Sequence, residues 1–119
     1  MAKYVDGFIL PIPKDLVDDY RRIAQAAGEV WREHGALEYV ECVAEDVQDG
    51  EVTSFPRSVN LEDGETVVFA WITFESREER DRINAKVMKD PRITEAPPEA
   101  KAFDMKRMVY GGFDAVVEL

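Results

Sequence analysis

The stretch Thr66–Phe74 is the longest run of β-branched and aromatic residues in the chain, and it contains no glycine, proline or charge. Such a run is typical of a β-strand. Alternate residues of a strand point to opposite faces of the sheet, and here both sets are apolar: Val67, Phe69, Trp71 and Thr73 on one face, and Val68, Ala70, Ile72 and Phe74 on the other. Because both faces need cover, the pattern predicts a central strand.

The residues before this strand predict a strand, a long helix and a second strand. Lys3–Ile12 is the first strand, and Asp6-Gly7 interrupts its pattern, as at a bulge or a close approach by another group. Lys14–His34 has apolar residues at steps of three and four, which predicts an amphipathic helix. Gly35 follows as its C-cap, and Ala36–Glu45 is the second strand.

The residues after the central strand predict a second helix and a fourth strand. Ser76–Glu79 is a capping box that opens the helix, which ends at Asp90-Pro91. After a loop over Pro91–Asp104, Met105–Leu119 predicts a strand interrupted at Gly111-Gly112.

A long polar segment, Asp46–Gly64, connects the second strand to the central one. Loops of this length are often functional, although part of the segment could instead extend the flanking strands into a hairpin. Ser54 and Arg57 offer a hydroxyl and a guanidinium for a ligand here, as in a lid. A loop that reaches across a dimer explains the same residues equally well.

The order strand, helix, strand, strand, helix, strand predicts one ferredoxin-like α+β domain over residues 1–119, with an antiparallel four-stranded sheet. Both helices of that fold pack on one sheet face, so the other face needs a different cover. We expect Leu37, Tyr39 and one whole face of Thr66–Phe74 on this open face, and Cys42 on the helix-packed face. The simplest cover is a second copy, which predicts a homodimer with the sheets face to face.

Composition narrows the classes of partner. The 25 acidic and 15 basic residues give a net charge of −10, which disfavours binding to nucleic acid or to anionic membranes. A single cysteine and a single histidine exclude an internal disulfide and argue against a zinc site. The chain has no apolar segment of signal or membrane-spanning length, so we expect a cytoplasmic protein. We also expect no metal or other cofactor.

Candidate chemistry rests on a few polar side chains. His34 is a candidate general base. Glu41 is a candidate acid–base group in a cavity that Tyr39 and Trp71 also line. Arg107 is a candidate ligand contact. The structural alternatives are that His34 favours the negative end of its helix dipole and that Glu41 forms an ion pair with Arg107 or another cation.

Two further groups have mainly structural readings. The charged residues of the second helix resemble a solvated face, and we single out only Arg80 and Asn84 there as functional candidates. Cys42 is best explained as a small buried side chain.

The sequence also resembles the YbaA-like family of uncharacterised bacterial proteins, a domain-of-unknown-function family, along nearly its whole length. The segments that carry the resemblance are Tyr4–Phe8, Glu33–Tyr39, Glu41-Cys42, Thr53–Pro56, Glu65–Phe69, Ser76-Arg77, Arg80-Asp81, Asn84–Met88, Asp90–Arg92, Phe103-Asp104, Lys106–Met108 and Tyr110–Phe113. Glu45-Asp46 departs from the usual pair of aspartates but keeps the charge.

The resemblance implies a dimeric α+β barrel and no established activity. Its wider superfamily includes cofactor-independent monooxygenases, haem-degrading enzymes, decarboxylases and stress-response proteins.

The sequence therefore supports two hypotheses about function. The first is a small-molecule-binding or cofactor-independent enzyme-like barrel that uses His34, Glu41, Tyr39, Trp71 and Arg107 around a cavity. The second is a non-catalytic stress-related or interaction protein whose open sheet face is only a dimer core. A cavity reached by His34 or Glu41 distinguishes the first from the second.

Overall fold

The structure is a computed structural model that describes residues 3–103 and 105–119. Met1, Ala2 and Asp104, which belong to segments discussed above, lie outside the described residues. Within that range the strands are β1 (Tyr4–Pro13), β2 (Glu38–Val43), β3 (Glu65–Phe74) and β4 (Val109–Asp114). The helices are α1 (Val17–His34), α2 (Phe55–Ser58), α3 (Arg77–Val87) and α4 (Pro91–Thr94). Short 3₁₀ turns occupy Lys14–Leu16, Pro98–Ala102 and Met105–Arg107.

These strands form an antiparallel sheet in the order β2-β3-β1-β4, which confirms the ferredoxin-like prediction. β3 is central, as its apolar faces predicted. β1 pairs with β3 residue for residue from Tyr4 opposite Phe74 to Pro13 opposite Glu65. The expected irregularities are therefore wrong: β1 passes through Asp6-Gly7, and β4 through Gly111-Gly112, without a bulge in the described pairing.

Local signals explain the helix ends. Gly35 has a φ of 122° after α1, and its N–H binds the carbonyl of Arg32. Ser76 accepts a hydrogen bond from the backbone of Glu79 at 3.2 Å, which confirms the predicted start of α3 and its serine cap, whereas the Glu79 carboxylate binds Arg82. The predicted first helix is divided, because its first residues form the 3₁₀ turn at Lys14–Leu16.

The strand register fixes which side chains face the helices. The even-numbered residues of β1 and β3 lie on the helix-packed face. Tyr39 pairs with Ile72 and Glu41 pairs with Ala70, so these two residues of β2 lie on the same face. The expected positions of Tyr39 and Cys42 are thus wrong, since Cys42 is exposed on the open face. Alternation within a strand gives two sets of residues but does not say which set faces the helices. In β2 the hydrogen-bonded tyrosine and glutamate turn inward, and the small thiol turns outward.

The core lies between this sheet face and the two long helices. Phe74, Ile83 and Val87 are fully buried where α3 meets the sheet, and Ile12 and Val68 are fully buried at the other end. The segment before β3 contributes α2, on which Phe55 packs edge-on against Phe69 at 5.8 Å. This segment therefore covers part of the open face and does not extend the hairpin.

Candidate functional site

A cavity of about 510 Å³ lies between the helix-packed face of the sheet and the helices α1 and α3. Its wall is mostly apolar and is formed by residues of all four strands, of α1 and α3, and of the segments that follow α3. They include Phe8, Leu10, Ile23, Ala27, Trp31, Ala70, Ile72 and Met88. A pocket of this size and lining is typical of a site for a small organic molecule.

Glu41 is held in this wall by two tyrosines. The hydroxyl of Tyr39 donates to Oε2 of Glu41 at 2.5 Å, and the hydroxyl of Tyr20 donates to Oε1. Tyr39 is two residues along the same strand, so it lies on the same face as Glu41, whereas Tyr20 reaches it from α1. Each carboxylate oxygen thus has one phenol donor.

Both tyrosines remain hydrogen-bond donors over a wide pH range. Burial raises the pKa of Tyr20 and of Tyr39 far above the ordinary value, and the adjacent negative charge of Glu41 raises each further. A deprotonated phenol here would lie in apolar surroundings beside a carboxylate. The cluster is therefore a fixed carboxylate with two neutral donors.

Gly28 makes room for the ring of Tyr39 against α1. A Cβ on Gly28 would lie only 2.5, 2.7 and 3.0 Å from three carbon atoms of that ring. The ring also packs against Trp31 of the same helix, with the centroids 6.0 Å apart. The position of Tyr39, and with it that of Glu41, thus depends on a glycine in the middle of a helix.

A second polar cluster lies at the α3 end of the cavity. Arg80 donates to the hydroxyl of Tyr4 at 3.0 Å, and its Nε lies 3.7 Å from Oδ1 of Asp6. Asn84 accepts a 3.0 Å hydrogen bond from the indole N–H of Trp31, and its amide also acts on the Asp6 carboxyl. Burial raises the pKa of Asp6 above its ordinary value, against the opposing effects of Arg80 and Asn84.

An outer groove of about 740 Å³ runs between α1 and the edge of the sheet. It has Tyr20, Ala24, Tyr39 and Glu41 in common with the cavity. The tyrosine–glutamate cluster therefore forms part of the wall that separates the cavity from this groove.

Of the residues predicted for the site, Glu41 and Tyr39 line the cavity with their side chains. Trp71 reaches the wall only through its backbone, because the register turns its ring to the opposite face, where it packs against Phe69 at 5.7 Å. His34 lies outside the cavity at the end of α1, where its Nε2 is 3.1 Å from Oδ2 of Asp90. The structure thus places His34 against Asp90 and away from this cavity.

The other predicted ligand contacts lie elsewhere. Arg107 binds the carboxylate of Glu65 through two hydrogen bonds of 2.8 and 2.6 Å, so its predicted pairing with Glu41 is wrong. Ser54 caps α2. Arg57 binds backbone carbonyls of Gly50 and Glu51 at 3.0 Å, which orders the loop before α2.

Sequence reasoning missed Asp6 and Tyr20. Asp6 was noted only as an interruption of an apolar strand, yet a carboxylate at a buried strand position is itself a signal of a polar site. Tyr20 falls on the apolar stripe of its helix, and nothing in its spacing distinguishes it from a core residue. Arg80 and Asn84, which the sequence did single out, both line the cavity.

Within the described range, no group of three His, Cys, Asp or Glu side chains is arranged to hold a metal ion. None of the described helices is both long enough and apolar enough to cross a bilayer.

Comparison with known proteins identifies the family of this chain. The model of a family described as protein of unknown function (DUF1428) matches residues 3–105. The chain belongs to this family. It is 49% identical over 116 residues to the uncharacterised protein YbaA of Escherichia coli K12, and equally to that of Shigella flexneri, with 98% of each chain covered. These matches confirm the resemblance to the YbaA-like family.

A crystal structure of a NIPSNAP family protein of unknown function from Agrobacterium tumefaciens is similar in fold. Its TM-score is 0.59 at 14% identity, over 95% of this chain and 87% of that one. At this identity the likeness extends to the fold alone.

Proposed function

We propose that the protein binds a small, largely apolar molecule in the cavity between its sheet and helices, with Glu41 as the polar contact. The observation that carries the proposal is the position of Glu41 in a mostly apolar wall, with both oxygens held by tyrosine hydroxyls. Fixing a charged side chain in this way is common where a ligand must be oriented.

The chemistry that this site could supply without a cofactor is proton transfer. Glu41 is the proton acceptor in this proposal, and Tyr20 and Tyr39 hold it in place as neutral donors. A cytoplasmic location belongs to the proposal as well, and the exposed thiol of Cys42 supports it, since free thiols persist in reducing compartments.

Binding is tested with N-phenyl-1-naphthylamine, a neutral apolar fluorophore, and two tryptophan variants of adjacent residues on α1. Ala27 lines the cavity, whereas Ala26 is exposed on the outer face of the same helix. We expect Ala27→Trp to weaken binding at least tenfold and Ala26→Trp to leave it unchanged, with circular dichroism confirming that both are folded. Equal binding by the two variants would place the probe outside the cavity and refute the proposal.

We also propose that the open sheet face is covered by a second copy of the chain. Phe69 and Phe113 lie on this face and are 42% and 63% exposed, and the exposed Val109 lies on the same face. Large exposed apolar side chains on one sheet face support a self-complementary interface. The cavity is on the other side of the sheet, so dimerisation and ligand binding do not compete for the same surface.

Sedimentation velocity tests the dimer with two variants of one strand. Phe113→Glu places a charge on the open face, and Tyr110→Glu places one on the opposite face of β4 at a residue that is also exposed. We expect a dimer for the unmodified protein and for Tyr110→Glu, and a monomer for Phe113→Glu. A monomer for the unmodified protein at micromolar concentration contradicts the proposal and with it the alternative that the sheet face serves as a dimer core.

A further inference from the structure

The charges around the cavity are not balanced at its Glu41 end. No described Lys, Arg or His nitrogen lies within 4.0 Å of a Glu41 oxygen, since none of the ion pairs among residues 3–103 and 105–119 includes Glu41. Each of its oxygens accepts one phenol hydrogen bond, and a carboxylate has about four acceptor positions. Glu41 therefore keeps capacity for a further donor.

The negative charge of a partly buried carboxylate is less well compensated by two neutral hydrogen-bond donors than by such donors together with a cation. In this protein the described side chains supply the donors but not the cation. A positive group on a bound molecule would supply it.

The side chains around Glu41 also suit a positive group. Tyr20, Tyr39 and Trp31 present aromatic rings to this part of the cavity, and the last two rings pack 6.0 Å apart. The faces of such rings attract organic cations, most strongly where water is excluded.

The opposite end of the cavity does not favour an anion in compensation. Arg80 is the cation there, and its Nε lies between two carboxylates, 3.7 Å from Asp6 and 3.4 Å from Asp81. Its Nη2 donates to the hydroxyl of Tyr4. An anionic ligand at Arg80 would meet both of these acids.

From this arrangement we propose that the ligand is a hydrophobic amine, a molecule with an apolar body and one cationic nitrogen that binds Glu41. The inference rests on the proposed binding cavity and goes further by naming the class of ligand. The apolar body lies against Phe8, Ile72 and Ala70, and the nitrogen lies beside Glu41 and the aromatic rings.

Three probes of nearly equal size test the charge. They are 4-phenylbutylamine, 4-phenylbutanol and 4-phenylbutyrate, which at pH 7 are a cation, a neutral molecule and an anion. Isothermal titration calorimetry in about 0.15 M salt limits the effect of distant surface charges, because the Debye length is then about 8 Å. We expect the amine to bind about tenfold more tightly than the alcohol, or about 1.4 kcal/mol, and the acid to bind most weakly.

Two isosteric variants of β2 locate the effect. Glu41→Gln removes the charge at the cavity and should bring the amine-to-alcohol ratio close to one. Glu38→Gln removes a charge on the opposite face of the same strand and should leave the ratio unchanged. An alcohol that binds as tightly as the amine, or an amine preference that persists in Glu41→Gln, overturns the inference.

The outcomes separate this inference from the proposed function. If the alcohol binds, Ala27→Trp abolishes that binding and the amine has no advantage, the cavity is a ligand site but not for amines. If no probe binds to the unmodified protein, both proposals fail. If Glu41→Gln does not fold, the order amine, alcohol, acid in the unmodified protein decides the matter, and any other order contradicts the inference.

Discussion

The paired glycines of β4 allow a sharp test of the packing at the α3 end of the cavity. A Cβ on Gly112 would lie 2.6 Å from Cε2 of Tyr4 and 2.8 Å from Nη2 of Arg80, and would also clash with the Tyr4 hydroxyl. A Cβ on Gly111 would meet only the ring of Phe113, at an ordinary 3.7 Å. Neither glycine has a positive φ. Gly112→Ala and Gly111→Ala thus differ mainly in the side-chain contact.

The magnitude follows from that difference. Replacing glycine by alanine within a strand stabilises by about 0.5–1 kcal/mol through the unfolded chain, and this contribution is common to both variants. Forcing a methyl group into a packed site costs about 1–3 kcal/mol. Tyr4 is 7% exposed and cannot turn away, although the guanidinium of Arg80 can move toward water. We therefore expect Gly112→Ala to be less stable than Gly111→Ala by about 1–3 kcal/mol.

Urea denaturation followed by circular dichroism measures the difference. With a slope near 1.5 kcal/mol per molar urea, the two midpoints should lie about 0.7–2 M apart, with Gly111→Ala at or above the unmodified protein. Equal midpoints would mean that Tyr4 and Arg80 do not occupy the space beside Gly112. The reasoning about the polar cluster at this end of the cavity would then be wrong.

Three other predictions concern ionisable side chains. Tyr39→Phe keeps the ring on Gly28 but removes a hydrogen-bond donor to a carboxylate, so the free energy of unfolding measured in urea should fall by about 1.5–3 kcal/mol. Tyr20→Phe should have a similar effect. An unchanged free energy of unfolding in either variant would refute the two hydrogen bonds to Glu41. Folding raises the pKa of both tyrosines, so their contribution to stability is complete below pH 10 and is lost above it. Absorbance at 295 nm should therefore show two phenols that ionise only when the protein unfolds in alkali. Ionisation of all tyrosines in the folded protein would contradict this prediction. The pKa of Asp90 is lowered, first by its hydrogen bonds to Arg92 and then by His34, so its stabilisation is present above about pH 4 and lost below it. Asp90→Asn should therefore lower the thermal midpoint at pH 7 and have a smaller effect at pH 2.5, and an equal effect at both would exclude the charge as the cause.

Much of the fold could be predicted because its signals are local. The apolar faces of Thr66–Phe74, the capping serine at Ser76 and the glycine at Gly35 each act within a few residues, and all three behave as predicted. Strand order followed from the order of elements, since the βαββαβ arrangement leaves few topologies.

The site could be predicted only in part, because its contacts join residues far apart in the chain. Tyr20 and Glu41 are 21 residues apart, and Tyr4 and Arg80 are 76 apart. Nothing in either neighbourhood specifies the partner. The inward face of β2 was also misassigned, because it depends on how the turn after Gly35 enters the strand rather than on the apolarity of its residues.

The glycines in strands and helices were the least predictable feature. Gly111-Gly112 suggests a break in its strand and Gly28 gives no signal in the sequence, whereas Gly28 and Gly112 lie where a tyrosine ring from another element approaches the backbone closely. The need for glycine at such a position arises from the tertiary contact, which is absent from the local sequence.

The wall between the cavity and the outer groove has a kinetic consequence. It consists in part of the side chains of Tyr20, Tyr39 and Glu41 rather than of strand backbone. A passage can therefore open by rotation of side chains on nanosecond to microsecond timescales, without separation of β2 from β3. Shortening Tyr39 to alanine would therefore join the cavity to the outer groove and give a bound molecule a second path to solvent.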